Sequence, residues 1–66
     1  MCEFTVYLTG ESPEEREQVA KGIVVVKVKG EKILLLTMMG ESVSVESAFI
    51  REVNTMTAEL TLQKVL

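Results

Sequence analysis

The sequence predicts a small all-β domain, a barrel of about six short strands, on three observations. Apolar residues recur with a period of two along most of the chain, glycine-containing turns separate β-branched and aliphatic runs, and no segment carries the apolar stripe of a docked helix. With 66 residues, the chain lies near the lower end of what one hydrophobic core supports without a metal, a disulfide or a second subunit. No linker, internal repeat or low-complexity tract interrupts the pattern, so residues 1–66 are expected to form a single domain.

The first strand is read from CEFTVYL, where Cys2, Phe4, Val6 and Leu8 point one way and Glu3, Thr5 and Tyr7 the other. In TGESPEEREQ, Ser12, Pro13 and Glu15 match a capping box with proline at the first helical position. This predicts a helical turn over Pro13 to Gln18 within a solvated acidic connection. The stretch IVVVKVKGEKILLLTMM reads as a hairpin turning between Lys29 and Lys32. Its runs Ile23 to Val26 and Ile33 to Leu36 are apolar on both faces, which predicts a closed barrel covering one face and a subunit contact covering the other. Met38 and Met39, at the end of the second run, read as core or interface filler. A second turn follows at Gly40, Glu41 and Ser42. VSVES continues the alternation, AFIREVN places Phe49 or Ile50 with Val53 inward, and ELTLQKVL does the same for Leu60, Leu62 and Val65.

Ten acidic against seven basic side chains give a net charge of −3, the wrong sign for releasing counterions from nucleic acid. Tyr7 together with Lys27, Lys29 and Lys32 is the best surface the sequence offers to a single strand, and nucleic acid is not an expected partner. One cysteine cannot form an internal disulfide, and neither an export signal nor a membrane-length apolar run is present, so a cytoplasmic protein without a membrane partner is expected. Enzymatic chemistry lacks its parts. Histidine is absent, so Cys2 has no base beside it; no serine sits in a nucleophile elbow; paired carboxylates occur only in the EEREQ connection. Gly10, Gly22, Gly30 and Gly40 read as turn or strand-break positions, not as a phosphate loop.

What remains is Cys2. Its thiolate and its own backbone nitrogen close a five-membered chelate ring, and the amine of Met1, or of Cys2 itself if Met1 is trimmed, adds a further donor. Nickel(II) accepts such N and S donors in a square plane, whereas one chain supplies too few sulfurs for tetrahedral zinc. Two chains meeting near the first strand would complete four ligands from two Cys2 residues. Taken by itself, however, a lone cysteine on a strand is by default a small core hydrophobe.

The start MCEFTVYL, the acidic connection, GIVVVKVKGEKILLLTMMGE and the final strands around Ile50 to Leu62 together resemble the CooT family, small nickel-binding accessory proteins of carbon monoxide dehydrogenase maturation that are also labelled predicted RNA-binding proteins. The resemblance spans nearly the whole chain, and Met1-Cys2 is its chemically specific part. It implies an SH3-like β-barrel, a homodimer and Ni(II) held through Cys2. A metallochaperone role follows, with a nickel enzyme or its maturation factors as partner. The alternative is a barrel without metal that binds single-stranded RNA or acts as an adaptor.

Overall fold

The computed structural model describes residues 3–12 and 14–65. Six strands form: β1 Phe4–Thr9, β2 Arg16–Lys29, β3 Lys32–Thr37, β4 Ser42–Val45, β5 Ala48–Asn54 and β6 Glu59–Lys64. They make one sheet in the order β4-β3-β2-β1-β6-β5. Neighbours are antiparallel except β1 and β6, which run parallel from Thr5 opposite Glu59 to Thr9 opposite Gln63. A parallel pair needs a long connection, and the whole excursion through β2 to β5 supplies it.

In β1 the alternation holds: Val6 is fully buried, and Phe4 and Leu8 pack against the core. The helical turn expected over Pro13 to Gln18 is corrected. Pro13 lies outside the described residues, but Ser12 and Glu14 onward form one tight turn and β2 already begins at Arg16. The Ser12 carbonyl accepts the Glu15 N–H at 2.9 Å, and Ser12 Oγ accepts the Glu14 N–H at 3.3 Å. These are the contacts a helix cap makes, used here by a turn. With no apolar stripe to dock, a short helix has nothing to stabilise it, whereas residues 16–20 gain a ladder to β1.

β2 is 14 residues long and bends by bulging. Opposite β1 it carries one extra residue between Gln18 and Ala20 and another between Ala20 and Ile23; opposite β3 it carries one between Ile23 and Val25. Gly22 within this region takes φ +68°, which glycine adopts without steric cost. The first half of β2 therefore pairs with β1 and the second with β3, Ile23 belonging to both ladders. The bend folds the sheet over its core until β3 touches β5. Ala48 N–H then donates to Glu31 O at 3.0 Å, and Val65 N–H to Ser47 O at 2.8 Å. Among the described residues no ladder joins the edge strands β4 and β5, so the sheet is folded over but not closed.

The expected hairpin forms, with Lys29 opposite Lys32 and Gly30 at φ +57° in the turn. Ile23, Ile33, Leu35, Leu60 and Leu62 fill the core together with Val6, Val45 and Ala48. On β5 the inward expectation needs correcting. Ala48 is the buried residue, while Phe49, Ile50 and Val53 are 49%, 38% and 56% exposed. A register shift between Ile50 and Glu52 puts Ile50 opposite Leu62 and Val53 opposite Leu60, so both share the core face but stand at its open rim on an edge strand. Met38 and Met39 are not core either. They occupy the β3–β4 turn, Met39 at 89% exposure.

Candidate functional site

Met1 and Cys2 lie outside the described residues, and the site must be approached from the strand that follows them. β1 sits between β2 and β6, so the chain enters the sheet near its middle. Phe4 faces Ile23 across the ladder, and Thr5 N–H donates to Ala58 O at 2.9 Å. The turn carrying Ala58 is held by Asn54, whose Oδ1 accepts the N–H groups of Met56 at 3.0 Å and Thr57 at 3.2 Å. Glu3 is exposed, its carboxylate alongside the Gly22 bulge. Beside this strand entry, Phe4, Val26, Ile50, Val53 and Leu60 line a cavity of about 180 Å³, apolar throughout. Among the described residues no cluster of three or more histidine, cysteine or acidic side chains could hold a metal.

On the outer face the sheet register gathers a polar network that sequence spacing does not show. Arg16 lies over the Tyr7 ring, 3.6 Å from its centroid, and pairs with Glu59 at 3.2 Å. Arg51 donates to Gln63 Oε1 at 3.3 Å, and Gln63 Nε2 donates to Gly10 O at 2.6 Å. Thr9 Oγ1, buried, reaches Leu62 O at 3.0 Å and Gln63 Oε1 at 2.9 Å. Both arginines of the chain line the resulting cleft, with Thr9, Glu52 and Thr61.

The best surface the sequence offers to a single strand, Tyr7 with three lysines, is not assembled. Tyr7 stands opposite Gln18 and Thr61 with one ring face taken by Arg16, whereas Lys27, Lys29 and Lys32 lie beyond the bulges at the hairpin tip. Stacking platform and cationic groove, which single-strand binding combines, are here apart.

A family model described as CO dehydrogenase accessory protein CooT matches residues 1–63. What that description names is an accessory protein, not an enzyme. No curated protein matches the chain.

Proposed function

The chain belongs to the CooT family, and from that membership we propose that it is a cytoplasmic nickel-binding accessory protein that delivers Ni(II) to carbon monoxide dehydrogenase or its maturation factors. The observation that carries the reading is the family match over residues 1–63, which includes the chemically specific Met1-Cys2 start. Carbon monoxide dehydrogenase is a nickel enzyme, so an accessory protein with a soft donor at Cys2 fits nickel as its cargo. The Cys2 thiolate and backbone nitrogen chelate the ion, and the amino-terminal amine adds a nitrogen, a donor set that suits nickel(II) and needs no histidine. Among the described residues no helix is long and apolar enough to cross a membrane.

The finer architecture belongs to the same proposal: residues 1–66 form one domain, an SH3-like barrel, and two chains pair. Supporting the barrel are the bulged β2 shared by two ladders and the contact of β3 with β5. Supporting the dimer is the uncovered apolar rim of Ile50 and Val53 around the cavity that Phe4 lines. A two-fold axis beside that rim would bring two Cys2 residues toward one ion, because Phe4 follows Cys2 by two positions. Three lysines on the outer face of the hairpin disfavour a symmetric contact there.

A near-ultraviolet thiolate-to-nickel charge-transfer band tests the reading. The protein is expected to develop this band on adding Ni(II), and Cys2→Ser to lack it. A gel shift with single-stranded RNA in the absence of any such band would overturn nickel in favour of the metal-free barrel.

A further inference from the structure

We propose that the outer face of the β2–β3 hairpin tip is a docking platform for an extended acidic segment of a partner protein. Lys27, Lys29, Lys32 and Leu34 line a pocket of about 240 Å³, and no carboxylate is among them. Lys29 and Lys32 face each other directly across the ladder, and Lys27 faces Leu34. All three lysines are exposed. Like charges placed opposite one another weaken a sheet, and the ion pair found among the described residues, Arg16 with Glu59, lies elsewhere. In a chain with ten acidic side chains and a net charge of −3, these lysines form no ion pair among the described residues, and Glu31 and Glu46 share a neighbouring cavity with Lys29 and Lys32. Beyond Ile23, β2 pairs only with β3 among the described residues, so Lys27 and Lys29 stand on a stretch whose other edge is free, where an extended segment has room to approach.

The geometry selects the shape of the partner. Lys27 and Lys29 are alternate residues of one strand, about 6.7 Å apart along it, the same repeat that separates alternate side chains of an extended peptide. Carboxylates at every second position of such a segment meet Lys27 and Lys29, Lys32 reaches in from the neighbouring strand, and Leu34 receives the methylene stems. An acidic protein segment fits better than RNA because no aromatic side chain lines the pocket and the Tyr7 ring is occupied elsewhere.

Amide-resolved NMR titration of the metal-free protein at low salt decides it, independently of the nickel reading. The probes are an end-blocked Glu-Thr-Glu-Thr-Glu peptide and octauridylate RNA. The peptide is expected to shift the amides of Lys27, Lys29, Lys32 and Leu34 saturably. Lys27→Gln/Lys29→Gln/Lys32→Gln should weaken it about tenfold, the sum of three modest exposed ion pairs, while Lys21→Gln/Lys64→Gln should bind as the unmodified protein does. If the triple variant loses its folded spectrum, Lys29→Gln and Lys32→Gln are read singly, each with a smaller loss. Absence of saturable shifts, shifts centred elsewhere, unchanged affinity in the lysine variants, or RNA acting on these amides at lower concentration than the peptide would each overturn the proposal.

Discussion

Thr9 shows what a single side chain contributes to this fold. Its buried hydroxyl lies within reach of Leu62 O and Gln63 Oε1, its one proton shared between them, and ties β1 to β6 across the parallel ladder. Thr9→Val keeps the shape and removes the donor, so Leu62 O loses its buried side-chain partner while Gln63 Oε1 keeps Arg51. A loss of about 1–3 kcal/mol in urea denaturation is expected; an unchanged midpoint would show that the carbonyls find other donors. Leu62, fully buried opposite Leu8 and Ile50, sits at the other extreme. Leu62→Ala should cost about 2–5 kcal/mol, enough to unfold most molecules of so small a domain, seen as collapse of the β-sheet circular dichroism. Leu62 is legible in the sequence by alternation, whereas Cys2 lies outside the described residues. The Tyr7–Arg16–Glu59 grouping is not, because it depends on the register of three strands.

At the scale of elements, hairpin and bulge read differently. The β2–β3 hairpin is legible because the Lys29-Gly30-Glu31-Lys32 turn separates two unmistakable apolar runs. The start of β2 is not, since Arg16, Glu17 and Gln18 are exposed whichever way they point and only pairing with β1 makes them a strand. Likewise the alternation cannot show that an extra residue on β5 lifts Ile50 and Val53 to the rim while Ala48 takes the core. Gly22 is the element-scale test. A Cβ there would find room, with the Glu3 carboxylate at 3.8 Å as its near neighbour, so substitution is penalised through φ alone. Gly22→Val should destabilise by about 1–2 kcal/mol and Gly22→Asn by less, measured by urea midpoints. Equal midpoints for all three would mean that the bulge moves rather than strains.

For the whole molecule, the uncovered rim is the surface that the proposed second copy would cover. Val53 is more than half exposed and lines an apolar cavity with Phe4, Val26, Ile50 and Leu60. Analytical ultracentrifugation at micromolar concentration is expected to give a dimer, and Val53→Lys a folded monomer, since a lysine at that rim remains solvated in one chain but is buried between two. Two-sided hydrophobicity of the hairpin is what suggests a subunit contact in the sequence, whereas the exposed rim of β5 is not legible there because it depends on the bulge between Ile50 and Glu52.

The central claim, nickel held through Cys2, is tested most directly by calorimetric titration of Ni(II) into the protein and into Cys2→Ser at about pH 6.5 and pH 8. Because the ligand is the thiolate, and an unperturbed thiol has a pKa near 8.5, protons compete with the metal and affinity should rise with pH. A hydroxyl is a poor donor to nickel, so the serine variant should lose affinity by orders of magnitude while keeping its circular dichroism spectrum. Saturation near one ion per two chains is expected for a shared site, and one per chain would leave Cys2 as a ligand of separate sites. Equal nickel binding by Cys2→Ser, independent of pH, would contradict the account.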